Sequence, residues 1–367
     1  MNEFDVIIAG AGALGAAATY SLSQTGLKVL CIDRFNPPHN FSSSTGKTRL
    51  FRQAYFEDKN YIALLKRALV LWQELQVRGQ TTFFYQNGFL IMSEAQHETN
   101  QRVKCHAKEF DIPMEFLTHS QLKKRFPQFR LPPSYEGTFE TGAGFLVPEQ
   151  VLTTLLRLSE ENGALVYRHE HIQRIDLSLD SVEIRTDRRT YRAKKIVLAL
   201  GAFINDFAHL VPMKFTIKRA VQFWFKSREH FSSPCFAFAS DHDFIYGFPP
   251  MLNFEVKIAR YQPSYEIENP LATSEHYTPS ELAPIAEAIK QHLPMVDPMV
   301  HAHKVCYYTL TDDENFVLDT HPQFPHVVIA AGDSGHAFKF APVIGEIIKQ
   351  LVCEERLTFS IDFLKFR

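Results

Sequence analysis

The stretch Phe4–Arg34, FDVIIAGAGALGAAATYSLSQTGLKVLCIDR, decides how the rest of the chain is read. Val6–Ala9 has the length and composition of a buried strand. It ends in a glycine turn, continues as a run of small residues with the length of a helix, breaks at Gly26 and resumes as a second apolar run, Val29–Asp33. That order predicts a βαβ unit. Gly10 permits the tight turn, Gly12 lets the backbone approach a pyrophosphate, and Gly15 lets the helix pack close to the strand, so the phosphates sit at a helix N-terminus. Asp33, closing the second run, is placed to accept from ribose hydroxyls. An acid there favours an unphosphorylated ribose, which leaves FAD and NAD and disfavours NADP.

The choice between those two comes from Ala164–Asp206, ALVYRHEHIQRIDLSLDSVEIRTDRRTYRAKKIVLALGAFIND. Short alternating strands lead to a buried one, Ile196–Leu200, that ends in Gly201-Ala202. Two-domain flavoproteins return to the nucleotide domain with this pattern, whereas a simple nicotinamide dehydrogenase has no need of it. FAD is therefore the expected cofactor.

With 367 residues, 45% apolar composition and a formal charge of −2, the chain can bury a large core and is expected to divide into two domains. The one dense basic run, RTDRRTYRAKK (Arg185–Lys195), alternates with apolar neighbours like a solvated hairpin, so no nucleic-acid partner is expected. Five scattered cysteines, Cys31, Cys105, Cys235, Cys306 and Cys353, never fall in a Cys-x-x-Cys spacing, which argues against a disulfide framework or a zinc site and fits a reducing cytoplasm. Glu3 and Asp5 precede the first apolar run where a secretory leader would be positive, no segment has the length of a membrane span, and FLKFR carries no peroxisomal tripeptide. The pairs His169/His171 and His301/His303 put two imidazoles on one strand face each, but no third ligand is evident and no metal is expected.

Helices are predicted around Tyr61–Leu75, Glu98–Phe110 and Ser280–Gln291. After Ala202, FTIKRAVQFWFK, PCFAFAS, DFIYGFPP and FEVKIARY alternate like an antiparallel sheet with one face on a core, distinct from the parallel nucleotide sheet. Cys306 reads as standing at the end of a strand, before a solvated acidic turn, Asp312–Glu314. Its acidic neighbours in sequence would discourage a thiolate, so any reactivity needs a partner from elsewhere.

Together these motifs resemble the family of monomeric sarcosine oxidase and N-methyltryptophan oxidase, amine-oxidising flavoenzymes. The resemblance runs from the βαβ start through PPHNFSSSTGKTRLFRQAYFED, NGFLIM, GAGFLVPE, IVLALGAFIND, IYGFPP, EVKIARY and VCYYTLTDDENFVLDTHP to VVIAAGDSGHAFKFAPVIGEII. It implies an α/β protein, α+β overall: a glutathione-reductase-like FAD-binding Rossmann domain joined to a substrate domain with a large mixed, mainly antiparallel sheet. On this reading residues 1–85, 147–216 and 304–367 form the discontinuous FAD-binding domain, and 86–146 with 217–303 the substrate domain.

The resemblance also implies roles. Cys306 matches the cysteine that carries FAD through an 8α-S-cysteinyl thioether. Lys257 matches a lysine beside flavin N5, where a fixed positive charge stabilises superoxide as electrons pass to oxygen. Arg52 and Lys339 match the pair that holds the substrate carboxylate, a planar fork and a point charge. Arg49 faces the flavin ring, Gly332 and Gly335 bring backbone donors to its pyrimidine edge, and His336 lies next to it. Tyr246 and Tyr308 match aromatic positions lining the substrate cavity. Further cofactor contacts implied are Arg34, Ser43, Ser44, Thr48, Ile172 and Gly201, with Gly10, Gly12, Gly15, Asp33, His336 and Lys339.

Two departures stand out. The sarcosine oxidases carry histidines where this chain has Ser44 and Thr45, which puts the covalent linkage in question. The active-site histidine four residues after the strand lysine is replaced by Tyr261, which cannot become a cation near neutral pH, so the substrate at that wall can differ from sarcosine. The expectation is a monomeric, cytoplasmic oxidase of secondary amines that uses O2 and releases H2O2. The alternatives are an oxidase of primary or cyclic amino acids, a dehydrogenase with another acceptor, and a flavin-binding protein without turnover. Cavity size turns on the FPPMLNF loop, Phe248–Phe254.

Overall fold

The computed structural model describes residues 2–250 and 255–366. Its opening unit is the expected one: strand Asn2–Ala9, helix Ala13–Ser23 and strand Val29–Ile32, the strands parallel with Val6 beside Val29 and Ala9 beside Ile32. Val6, Ile7, Ile8 and Ala9 are all fully buried because both faces of the sheet are covered. Strand alternation then feeds two cores: Val6 and Ile8 enter one apolar cluster, Ile7 and Ala9 the other. The small residues of the first helix let it sit between the sheet and two further helices, Pro148–Glu161 and Ala341–Val352.

Among the described residues this first sheet has eight strands, with Val317–Thr320 at one edge antiparallel to Val327–Ala331. Its parallel part runs Leu165–Tyr167, Val29–Ile32, Asn2–Ala9, Thr190–Leu198 and Val327–Ala331. The hairpin Ile172–Leu177 and Val182–Thr186 adds antiparallel to the first half of Thr190–Leu198, so the basic run is the solvated hairpin expected. The second sheet also has eight strands, in the order Val296–Leu310, Thr216–Ser227, Glu255–Arg260, Phe244–Phe248, Cys235–Ala239, Phe89–Glu94, Tyr135–Glu140 and Met114–Leu117. Every pairing in it is antiparallel except Cys235–Ala239 with Phe89–Glu94. A small sheet of Arg49–Phe51, Gly144–Leu146 and Phe84–Tyr85 completes the framework.

Three readings of the sequence need correction. Cys306 is not at a strand end: it lies inside the 15-residue strand Val296–Leu310, whose first part is mostly half-buried or exposed and whose last six residues are buried. The strand therefore carries the thiol from the surface into the interior, which its polar flanks concealed. His169 and His171 share no strand face: both lie in the loop after Leu165–Tyr167, with His169 at φ 56° and its backbone N–H donating to the Phe35 carbonyl. The buried strand expected at Ile196–Leu200 is the end of the longer Thr190–Leu198. Residues 251–254 of the FPPMLNF loop lie outside the described residues.

Candidate active site

Two cavities meet where the sheets approach. The larger is a cleft enclosing about 1170 Å³ with its mouth, lined by Gly10, Gly12, Asp33, Arg34, Ser43, Arg49, Ile172, Gly201, Tyr308, Gly332, Gly335 and neighbouring side chains. Gly10 has φ +96°, and a Cβ there would lie 2.4 Å from the Ala199 carbonyl oxygen; one at Gly15 would lie 1.9 Å from the Gly10 oxygen. Turn and helix thus press against the sheet only because both lack side chains. A Cβ at Gly12 would meet nothing within 4 Å, so its backbone faces open cleft. The following helix has no side-chain cap, which leaves its first N–H groups turned to that space.

Asp33 is buried at the cleft wall, its Oδ2 accepting from Ala11 N at 2.7 Å and its Oδ1 from Phe35 N at 2.8 Å. Burial pushes its carboxyl up, against the pull of those donors and of His39. A carboxylate has about four acceptor sites, so a hydroxyl partner can still be taken. At the same end Phe35 packs against His39, Phe41 and Phe203 with ring centroids 4.7, 4.7 and 5.8 Å apart, and Arg34 caps the cluster. No spacing rule announced that aromatic group.

The smaller cavity, about 570 Å³ with its mouth, shares Arg49, Tyr308, Gly335 and Phe338 with the cleft and adds Thr48, Arg52, Glu57, Phe244, Tyr246, Phe248, Tyr261, His336 and Lys339. Arg52 is buried; its guanidinium pairs with Glu57 and lies over the rings of Tyr55 and Phe56 at 4.4 and 4.2 Å. Burial works to raise the Glu57 carboxyl, but Arg52, Lys339 and His336 bring it below the usual range. Burial and the charge of Arg52 lower Lys339 to about 7, with its Nζ donating to the His336 carbonyl at 2.9 Å.

His336 is held neutral. Its Nε2 faces the Glu314 carbonyl at 2.9 Å, and a carbonyl only accepts, so Nε2 carries the hydrogen and Nδ1 accepts from Tyr55 Oη at 2.7 Å. Burial, then Lys339, lowers its pKa to about 4. Behind Arg52, the buried carboxylate of Glu140 accepts from Gln53 N at 2.8 Å and Ala54 N at 3.0 Å and anchors the chain next to the guanidinium. Glu57, Tyr55 and Glu140 were missed in the sequence.

Lys257 projects from Glu255–Arg260, fully enclosed, with Nζ donating to Thr48 O at 2.8 Å and lying 5.0 Å from the Phe248 ring. Burial, with Arg49 adding repulsion, pushes its amine well down. Arg49 donates to the carbonyls of Ser43, Thr45 and Thr48, the last two at 2.6 and 2.8 Å. Cys306, Lys257, Ser44 and Gly15 stand behind the cavity linings rather than on them. Cys306 is two residues along its strand from Tyr308, which lines both cavities. Gly335 sits at φ +75°, and a Cβ there would lie 2.4 Å from the Tyr308 ring; its N–H points to Asp333 Oδ1 at 3.2 Å.

The chain matches the model of the DAO family, FAD dependent oxidoreductase, over residues 5–351. It belongs to that family. It is 32% identical over 370 residues to the monomeric sarcosine oxidase of Bacillus sp. (strain B-0618), covering 98% of this chain and 95% of the relative. To the N-methyl-L-tryptophan oxidase of Salmonella enteritidis PT4 (strain P125109) it is 33% identical over 375 residues, 100% of this chain and 98% of the relative. Among solved structures, the open form of NikD, an amino acid oxidase of nikkomycin biosynthesis, superposes with TM-score 0.88 at 24% identity, covering 100% of this chain and 98% of NikD. Glycine oxidase from Geobacillus kaustophilus superposes with TM-score 0.83 at 16% identity, covering 100% and 99%.

The protein is thus an FAD-dependent oxidoreductase, and its residues fit the cofactor. The open Gly12 backbone, the uncapped helix start and the acceptor Asp33 suit a dinucleotide. The Thr48 hydroxyl, buried beside Arg49, has no hydrogen-bond partner among the described residues, as expected of a wall built against a further group. No described helix is long and apolar enough to cross a membrane.

Proposed function

We propose that the protein oxidises secondary amines of the N-methyl amino acid type, with FAD held in the cleft by Gly10, Gly12, Asp33, Arg34, Ser43, Arg49, Ile172, Gly201, Gly332 and Gly335, its walls supported by Gly15, Ser44 and Thr48, and carried covalently by Cys306. The observation that bears most weight is the junction of the two cavities. Arg49, Tyr308, Gly335 and Phe338 belong to both, and Arg52 and Lys339 are the buried cations of the smaller one. A substrate anchored by its carboxylate on Arg52 and Lys339 extends its amine end toward that junction.

Tyr246, Tyr261, Phe244 and Phe248 supply an apolar wall that excludes water, and neutral His336, locked between Tyr55 and Glu314, keeps Lys339 in position without adding charge. The Arg49 guanidinium, which lines both cavities and is bonded to carbonyls rather than to a carboxylate, favours the neutral amine, so no separate base is required. FAD held there would supply a two-electron oxidation of the substrate C–H bond to an imine that water hydrolyses, with O2 as the final acceptor and H2O2 as its product. Lys257 supplies the positive charge on the oxygen side.

Residues 1–85, 147–216 and 304–367 make the FAD-binding domain on this reading, and 86–146 with 217–303 the substrate domain. Full-length similarity to a relative named monomeric supports a monomer, and five cysteines outside any disulfide support a reducing, cytoplasmic setting. The test is an anaerobic screen of N-methyl and cyclic amino acids for bleaching of the yellow protein. Bleaching by an N-methyl amino acid, with one H2O2 per turnover on admitting air, supports the reading. Bleaching only by primary amino acids, or no peroxide, overturns it.

A further inference from the structure

We propose that Gln222 is the positioning residue that holds the Cys306 sulfur for attachment to FAD; this rests on the reading that Cys306 carries the cofactor. Gln222 and Cys306 lie on neighbouring antiparallel strands, Thr216–Ser227 and Val296–Leu310. Ala220 is the direct partner of Cys306 and Lys304 that of Gln222, so the amide and the thiol are diagonal neighbours on one face. Both are buried, Gln222 at 3% exposure and Cys306 at 1%. The Gln222 Nε2 lies 3.2 Å from Cys306 Sγ and 3.1 Å from the Thr45 carbonyl, while its Oε1 lies 3.4 Å from an Arg49 nitrogen.

Those contacts leave the amide one orientation. A guanidinium only donates, so Oε1 must face Arg49; a carbonyl only accepts, so Nε2 must face Thr45. The second N–H of Nε2 is then directed at sulfur. Room for the amide comes from Gly46, where a Cβ would lie 2.4 Å from Oε1. Thr45 enters through its backbone carbonyl, so the orientation of the amide does not depend on the Thr45 side chain.

A hydrogen bond donated to sulfur favours its anionic, nucleophilic form. The charged and titratable groups around Cys306 are Arg49, Lys257, the Asp333 carboxyl and the phenols of Tyr246, Tyr307 and Tyr308, with the neutral Gln222 amide as hydrogen-bond donor. Burial opposes ionisation and the two cations with Gln222 promote it. In the attachment, Sγ gives up its proton for a bond to the 8α-methyl carbon of the FAD ring. The thiol hydrogen, one methyl hydrogen and two electrons end on O2 as H2O2, so one S–H and one C–H bond are replaced by a C–S bond.

The test uses the full chain produced under riboflavin limitation and then saturated with FAD. Samples are denatured at intervals, and the flavin fluorescence that stays with the polypeptide gives the attachment rate, at matched bound FAD judged from native absorbance. Gln222→Met, of similar length but with no donor, is expected to attach about tenfold more slowly at pH 7.5, with the midpoint of the rate–pH curve moved to higher pH. Gln222→Glu, which keeps the shape but presents an anion to the sulfur, is expected to be slower still. Equal rates and pH curves in wild type and both variants overturn the positioning role and leave Cys306 as the attachment site. Release of all flavin by the denatured wild type, or attachment persisting in Cys306→Ala, overturns the Cys306 reading and the Gln222 inference with it.

Discussion

Glu57 neutralises Arg52 inside the smaller cavity: the pair is in direct contact, with Arg52 buried and the Glu57 side chain 19% exposed. An incoming carboxylate must therefore share or displace a carboxylate already present. The relationship sets both the affinity of the site and part of its stability.

Glu57→Gln removes the competitor. A carboxylate ligand is expected to bind about tenfold more tightly, measured by perturbation of the bound flavin spectrum, because the buried guanidinium now lacks a counter-charge until the ligand arrives. Without ligand the variant should lose about 2 kcal/mol in urea unfolding, less than for a fully buried pair because Glu57 keeps some solvent. Saturating ligand should restore most of that loss. Weaker ligand binding in the variant would mean that Glu57 helps to hold the substrate.

Lys339, lowered to about 7, makes anion capture depend on pH. The ligand carboxylate prefers the ammonium form, present below the free-site value, so affinity is full in mild acid and falls as pH rises through about 7. A carboxylate ligand without a titratable amine isolates the effect. Its dissociation constant should rise toward tenfold per pH unit above neutrality in wild type and lose this limb in Lys339→Met. His336 does not produce it, since burial keeps that ring neutral down to about pH 4.

Lys257→Met separates the two halves of the reaction. Anaerobic bleaching by substrate should stay within a few-fold of wild type, while reoxidation on mixing with O2 slows by about 100-fold, the scale of losing one preorganised charge. The amine is already pushed well down by burial, so in wild type the reoxidation rate should fall as pH rises, the ammonium being lost earlier than for an exposed lysine. Rapid mixing with oxygenated buffer across pH gives both results, and unchanged reoxidation in the variant rules out the oxygen-side role of Lys257.

The opening βαβ unit was legible because its signals are local: strand, glycine turn, helix and acid follow one another within Phe4–Arg34, and each is dictated by its neighbours. The antiparallel sheet was visible in the alternation of the Phe-rich runs. The rest of the site is assembled by contacts remote in sequence. Tyr55 meets His336 across 281 positions, Gln53 meets Glu140 across 87, and Gln222 meets Cys306 across 84. Nothing near Glu57 reveals that its partner points into a cavity, and nothing near Cys306 reveals that its strand dives into the interior. Arg52, Lys257 and Lys339 were reached only through resemblance, since a lone cation in an apolar run equally reads as a side chain snorkelling to water.

Arg219 carries the last prediction, because one guanidinium ties the segment after Lys257 to the second sheet. It is fully buried on Thr216–Ser227, with Nε 2.8 Å from Glu281 Oε1, further N–H groups donated to the carbonyls of Ser274 and His276, and its backbone bonded to Tyr265 and Ser264. Glu281 closes the capping box of helix Pro279–His292 with Thr278, so the pair also fixes that helix start. Burial would raise the Glu281 carboxyl, yet Arg219 and Thr278 bring it below its usual value. A depressed folded-state pKa contributes stability that is present above the unfolded value and lost as pH falls through the folded one. Arg219→Met should therefore cost about 3–5 kcal/mol in urea unfolding at pH 7 by stranding that carboxylate, and the cost should shrink in acid. Lysine is no substitute, since one ammonium cannot reach the carboxylate and both carbonyls in the same fork. The segment begins at Tyr261, a wall of the smaller cavity, so the folded variant should lose affinity for substrate more than turnover, seen as a raised KM with kcat within a few-fold. A loss below about 1 kcal/mol would mean that the pair only breaks even against its own desolvation.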